Sequence, residues 1–215
     1  MGYRAVDKEF EEITIIQKSK FITTLVPISS YEDAIENLNK IKKKYSDATH
    51  NCYAFISSEN AIEQRFSDDG EPQGTAGVPM LEVLKKKNIY MTLAVVTRYF
   101  GGIKLGASGL VSAYSSCVAS AIDNAEIVEY KISNTLEILI DYSLYKKAQE
   151  AIENFEGQIK NIEYSNSVKI ECIIPVDKSK DLEDRIIDLS SGQAKIEIKN
   201  KKYNKFIEAK KWKLH

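Results

Sequence analysis

Residues Met91–Gly109 read MTLAVVTRYFGGIKLGASG, and this stretch restricts the fold more tightly than any other. MTLAVVT is apolar almost throughout and lacks the alternation of a half-buried strand, which predicts a strand covered on both faces. Four glycines fall within the twelve residues Arg98–Gly109, so the strand must end in a sharp turn. Gly106–Asp123, rich in Ala, Ser and Gly, then predicts a helix whose small side chains let it lie close to a sheet.

The rest of the chain supplies partners for that strand. Ile13, Ile15, Phe21, Ile22, Leu25 and Val26 flank the polar QKSK and predict a hairpin that Pro27 ends. Ala34, Ile35, Leu38 and Ile41 share one face of a helix over Tyr31–Tyr45, with Lys42–Lys44 favouring its C-terminal end. His50–Ile56 reads as a strand, Glu63–Pro79 as a structured loop, and Met80, Leu81 and Leu84 as a short amphipathic helix. A composition change over Ile127–Ser133 sets the domain boundary, giving 1–128 and 129–215. Beyond it, apolar periods follow the order βαββαβ: a strand at Leu136–Ile140, a helix through Leu144–Phe155, strands at Gly157–Tyr164 and Val168–Ile174, a helix at Leu182–Leu189 and a last strand at Ala194–Lys199. Lys201–His215 has no clear period, although Phe206, Ile207 and Trp212 could fold back onto the domain. The fold class is α+β.

With 215 residues and three separated cysteines, Cys52, Cys117 and Cys172, the chain carries neither a disulfide framework nor a CxxC pair. It shows no membrane-spanning run and no signal-peptide core, so a cytoplasmic location is expected. The net charge of −1 conceals segregation: Val83–Ile122 has five basic residues and no acidic one, and Lys195–His215 has eight basic against two acidic. Either these are solvated faces or they meet an anionic partner.

Chemistry concentrates in two loops. A strand ending in Arg98, a glycine turn and a helix start near Gly106 can form an anion site. The backbone of Gly101, Gly102 and Gly106 would turn N–H groups into one concavity, while Arg98, Lys104 and Ser108 add side-chain donors. A purely structural glycine turn explains the same residues. Tyr99 and Phe100 are candidate stacking platforms for bases, with core packing as the other reading. In SDDGEPQGTAGVP, the residues Asp68, Asp69, Gly70, Glu71, Gly74 and Thr75 form a second loop, with Arg65 just before it. Its three carboxylates either hold a hard cation such as Mg²⁺ or bond to their own backbone. Only His50 and His215 are histidines, which gives a metalloenzyme poor support. His50 and Cys52 are expected on opposite faces of their strand, against a catalytic pair. Cys117 is expected in the core.

These motifs resemble the YigZ/IMPACT family of bacterial and eukaryotic proteins. Its signature stands here as Gly77, Met80-Leu81, Leu84, Ile89, Val95-Val96, Arg98, Tyr99-Phe100, Gly101-Gly102, Leu105 and Gly106, and its second hallmark as Asp68–Pro79. The resemblance implies a first domain with the fold of ribosomal protein S5 domain 2. It implies a second, ferredoxin-like domain resembling the C-terminal domain of elongation factor G. Both analogies point to RNA or the ribosome. Eukaryotic members restrain an amino-acid-starvation kinase pathway with the help of an additional N-terminal domain, which has no counterpart here. Some bacterial members carry a proline dipeptidase label, which the lack of a two-metal ligand set argues against.

The resulting expectation is a non-enzymatic cytoplasmic protein that binds RNA or a ribosomal component and modulates translation. It would use no cofactor and no metal, would not bind membranes, and would extend its contact surface over a basic C-terminal domain. The alternative is a Mg-dependent nucleotide- or phosphometabolite-binding enzyme or sensor using the glycine cleft. A third reading is a protein-interaction module whose motifs are scaffold.

Overall fold

Thr92–Tyr99 runs through the middle of a five-stranded antiparallel sheet in the computed structural model, which describes residues 2–207. Numbered along the chain, the elements up to that strand's following helix are β1 (Tyr3–Val6), β2 (Phe10–Ile16), β3 (Ser19–Pro27), α1 (Tyr31–Lys44), β4 (His50–Ile56), β5 (Gln64–Ser67), α2 (Gly77–Lys86), β6 (Thr92–Tyr99) and α3 (Gly106–Asn124). The sheet order is β2-β3-β6-β4-β5.

The apolar run of β6 is explained by what lies on either side of it. Leu93 and Val95 pack with Tyr53 and Phe55 against Ala34, Leu38 and Ile41 of α1. Ala94 and Val96 pack on the opposite face against Met80 and Leu84 of α2 and Leu110, Tyr114 and Val118 of α3. Helices therefore cover both faces. α1 is bounded as its sequence suggests: the Ser30 hydroxyl accepts from the Asp33 N–H at 3.1 Å, and Lys42–Lys44 occupy the last turn.

Two strands escape the sequence pattern. β5, QRFS, is a polar and mostly exposed edge strand inside the stretch read as loop. β1 is held at Arg4 by Asn88 and Tyr90, through backbone bonds of 2.8 Å each. The β2–β3 turn puts both Gln17 and Lys18 at positive φ, 44° and 65°, where hairpins of this length favour Asn-Gly.

The chain divides between Glu129 and Tyr130, inside β7 (Ile127–Ile140). The composition change read as a boundary is the first half of that strand. A short 3₁₀ turn at Tyr142–Leu144 follows, then α4 (Tyr145–Asn154), β8 (Gln158–Tyr164), β9 (Val168–Pro175), α5 (Val176–Leu189) and β10 (Lys195–Ile207). The order is βαββαβ, with β7 between β10 and β9 and β8 beyond β9. Leu136, Ile138, Ile170 and Cys172 face Ala148 and Ile152 of α4 and Leu182 and Ile186 of α5. β10 is longer than the expected Ala194–Lys199, and Phe206 near its end is buried. Trp212 lies outside the described residues. No described helix is long and apolar enough to cross a membrane.

Phe55 is fully buried between β4 and α1. Phe55→Ala should lower unfolding free energy by about 3–5 kcal/mol, as large-to-small core changes do, measured as a shift in urea midpoint at unchanged m-value.

Candidate functional site

The two glycine-rich loops meet at one end of the first sheet, where β3 and β4 begin and β6 ends. Register aligns Arg98 with Phe21 on β3 and with His50 on β4. All three therefore share the face covered by α2 and α3. Arg98 is only 5% exposed, and its Nη1 donates to Glu71 Oε1 at 2.6 Å. Glu71, 8% exposed, also accepts from the Tyr114 hydroxyl at 2.8 Å. Arg98 Nη2 donates to Ser19 Oγ at 3.2 Å, and its guanidinium lies 5.4 Å from the Phe21 ring centre and 5.5 Å from that of Phe100. Arg98 Nε is buried without a hydrogen-bond partner among the described residues.

This corrects the expected role of Arg98. Its charge is matched internally, so it joins the two motif loops and is not presented outward as a phosphate fork. A second correction separates Arg65 from it. Arg65 is paired in register with Phe55 and bonds the Tyr31 hydroxyl of α1, on the opposite face of the sheet. The two arginines belong to different surfaces.

The three acidic residues of the upstream loop also part company. Asp68 accepts the N–H groups of Gly74, Ala76 and Gly77 at 2.8, 3.0 and 2.8 Å, filling the N-terminal end of α2 with the loop's own carboxylate. Burial alone would raise the Asp68 pKa, but the three amides outweigh it and hold it below its ordinary value. Asp69 accepts from the Asn51 N–H and from Lys42 Nζ, each at 2.7 Å, and Glu71 turns to Arg98. Among the described residues no group of three or more His, Cys, Asp or Glu side chains is arranged to hold a metal. The Mg²⁺ expectation for Asp68 or Asp69 is therefore replaced by backbone and ion-pair bonding. Gly70 and Gly74 have φ of 92° and 77°, and the Thr75 hydroxyl donates to Pro72 O at 2.6 Å. These residues shape the loop.

His50 and Cys52 stand two apart and face the same side, contrary to the sequence reading. They still do not form a nucleophile–base pair. Cys52 Sγ donates to Asp68 O at 2.9 Å, and burial pushes its thiol up to about 12, with Glu71, Asp69 and Asp68 adding to the rise. His50 Nδ1 donates to Asp69 O at 2.9 Å, which leaves Nε2 3.9 Å from Glu71 Oε2. Cys117 is buried in the core.

The glycines of the downstream loop divide by role. A Cβ on Gly101 would sit 2.0 Å from Lys18 O, so this glycine lets the loop cross the β2–β3 turn, where its N–H also bonds Ser19 Oγ at 3.2 Å. Gly102 and Gly106 have φ of 84° and 71° and open space where a side chain would project. Lys104 is exposed between them, Ser108 is exposed in the first turn of α3, and the N-cap residue Leu105 provides no side-chain cap. Tyr99 and Phe100 diverge. Tyr99 lies opposite Lys20 and donates to Asp47 at 2.8 Å, whereas Phe100 sits over Arg98 and is 47% exposed. Lys18, Ser19 and Lys20 were read only as a polar turn, and their place against Gly101 depends on a crossing that no local pattern encodes.

Tyr130–Phe206 is not basic in sum, and the end of the basic Lys195–His215 stretch lies outside the described residues. Tyr130–Phe206 contains thirteen basic and thirteen acidic residues. On the sheet face away from its helices, Lys169 pairs with Glu163 at 2.7 Å, and Lys199 with Glu197 and Glu137 at 2.6 and 3.7 Å. A cavity of about 190 Å³ lined by Asp141, Leu144, Ser167, Ser190, Gln193 and Lys195 belongs to this unit alone. That is smaller than the roughly 300 Å³ at which small-molecule sites begin.

Comparison with known proteins adds the family context. The Impact N-terminal domain family matches residues 17–122, and a domain family of unknown function matches residues 138–193. IMPACT family member YvyE of Bacillus subtilis is 40% identical over 195 residues, covering 91% of this chain and 90% of the relative. YigZ of Escherichia coli is 31% identical over 183 residues, covering 84% and 90%. Rabbit (Oryctolagus cuniculus) protein IMPACT is 36% identical over 116 residues, 48% of this chain but 36% of that protein. A crystal structure of a hypothetical protein aligns at 28% identity with a TM-score of 0.57, covering 93% of this chain and 98% of the other.

Two outcomes test the internal bonding. Arg98→Leu and Glu71→Leu should each cost about 3–5 kcal/mol, and the double variant less than their sum, since each single change strands a buried charge; a denaturant double-mutant cycle measures this. For Asp68 the folded pKa is depressed, so its stabilisation is complete above the ordinary value of 3.8 and disappears as pH falls through the folded value. The stability gap between wild type and Asp68→Asn should thus be constant from pH 5 to 7 and close below 3.8.

Proposed function

We propose that this chain, which belongs to the IMPACT family, is a non-enzymatic cytoplasmic protein that binds RNA or a ribosomal component and modulates translation. The contact is the loop end of the first sheet. One observation carries the reading: Lys104 stands exposed, with no carboxylate partner among the described residues, in a loop whose flanking glycines turn the backbone outward. Gly102, Gly106 and the first turn of α3, including Ser108, supply N–H and hydroxyl donors beside it. Arg98 acts as a positioning residue that holds Phe100 and the Asp68–Pro79 loop.

Fold analogy supports the same direction without fixing it. The antiparallel sheet with helices on both faces is read as related to ribosomal protein S5 domain 2. The βαββαβ order, with β7 inside and β8 at an edge, is read as the ferredoxin-like arrangement of the C-terminal domain of elongation factor G. Translation control by eukaryotic members comes to this chain through the shared domain alone. The reading assigns no reaction: Asp68, Asp69 and Glu71 are engaged by the protein, and the Cys52 thiol is held protonated.

Binding of ribosomes and labelled RNA should weaken steeply with salt, since each lysine–phosphate contact releases condensed counterions. Lys104→Gln should flatten the log–log salt dependence by roughly 0.7–0.9, the increment expected for one contact. Salt-indifferent binding, or an unaltered slope in this variant, would overturn the proposal.

A further inference from the structure

Six lysines at the surface of the first unit are tied to carboxylates: Lys8 to Glu126, Lys40 to Glu36, Lys42 to Asp69, Lys44 to Glu11, Lys85 to Glu82 and Lys87 to Asp123. Lys18, Lys20, Lys43, Lys86 and Lys104 have no such partner among the described residues. Lys18 lies under Gly101, three residues before Lys104, whereas Lys20 points to the other face of the sheet. Gly101 crosses directly over the Lys18 backbone, Ser19 Oγ bonds both Gly101 and Arg98, and Lys20 lies opposite Tyr99 with its ammonium 5.9 Å from that ring centre. Asp47, the carboxylate at Tyr99, is occupied by the tyrosine hydroxyl.

The hairpin tip itself is an outlier. Gln17 and Lys18 occupy consecutive positive-φ positions, although Asn-Gly would adopt the turn with less strain. A lysine therefore stands where folding alone favours glycine. Beside it, Phe100 is half exposed, its ring backed by the Arg98 guanidinium and its N–H fixed by the Thr49 hydroxyl at 3.1 Å. An exposed ring held this firmly offers a flat surface to another π system.

We infer that the β2–β3 tip and the Phe100–Lys104 segment form one surface for single-stranded RNA, with phosphates along Lys18 and Lys104 and an unpaired base on Phe100. This rests on the RNA reading above and adds to it the strand state of the ligand and the second wall of the site. The strand state follows from Phe100: in a duplex the base faces are stacked on one another and give an aromatic side chain nothing to cover.

The test is fluorescence anisotropy with a fluorescein-labelled twelve-nucleotide single-stranded RNA and the same sequence annealed as a duplex. Full-length wild type is compared with Phe100→Leu, Lys20→Gln, Lys104→Gln and the double change Gln17→Asn/Lys18→Gly. The last substitution relaxes the turn, so thermal unfolding should show a Tm no lower than wild type and any loss of binding is not a loss of fold. The expected result is a preference of at least about tenfold for the single strand, a loss of about fivefold or more in Phe100→Leu confined to the single strand, and a shallower salt slope in the tip variant but not in Lys20→Gln, whose side chain lies on the opposite face. Equal binding of both RNAs with no effect of Phe100→Leu, or an unchanged slope in the tip variant, overturns the inference while Lys104 dependence upholds the broader reading. Absence of RNA binding, or indifference to Lys104→Gln, removes both.

Discussion

The buried contact between Arg98 and Glu71 is the constraint on which the loop end of the first sheet depends. Two charges leaving water cost several kcal/mol each, so such a pair is held only where geometry and further hydrogen bonds compensate. Here the compensation comes from Tyr114 on α3 and Ser19 at the start of β3. One ion pair thereby joins a helix, two strands and both motif loops. An apolar core could fill the same space, but it would not specify which loop residue meets which strand end. The polar contact does.

That anchoring explains why the glycines are not equivalent. Gly101 is needed because backbone meets backbone at the crossing over Lys18, and any side chain would collide. Gly102 and Gly106 meet no such obstacle and are required only for their φ. The loop is thus clamped at its first glycine and again at Leu105, which packs on the core. Lys104 stands exposed in the short stretch between the two. Architecture and presentation are successive stretches of one loop.

Much of this was legible in the sequence where a residue's neighbours along the chain determine its environment. The unbroken apolar run of β6, the helical period of α1 and the strict alternation of Val168–Ile174 each report burial directly, and the βαββαβ order follows from them. β5 was not legible because an exposed edge strand needs no apolar face, and QRFS has none. The division of the chain was blurred because β7 continues through it. In the site, proximity in sequence misled: Arg65 and Arg98 flank the same loops, yet strand register sends them to opposite faces. Tyr114 was hidden in a helix of small residues, and its hydroxyl acquires meaning only from Glu71 of the upstream loop.

The acidic and basic motifs, read as separate sources of chemistry, turn out to complete one another. Asp68 is consumed by three backbone amides, Asp69 by Lys42 and an N–H, and Glu71 by Arg98. Left at the surface, those three carboxylates would repel a phosphate approaching the adjacent glycine loop. Engaged in this way, they brace the loops and leave Lys18 and Lys104 exposed beside the crossing. In the second unit charges of both signs remain on the open sheet face and pair within and across strands. The net charge of −1 thus conceals a local contrast: at this end of the sheet Asp69 and Glu71 are paired with cations, whereas Lys18 and Lys104 have no carboxylate partner among the described residues.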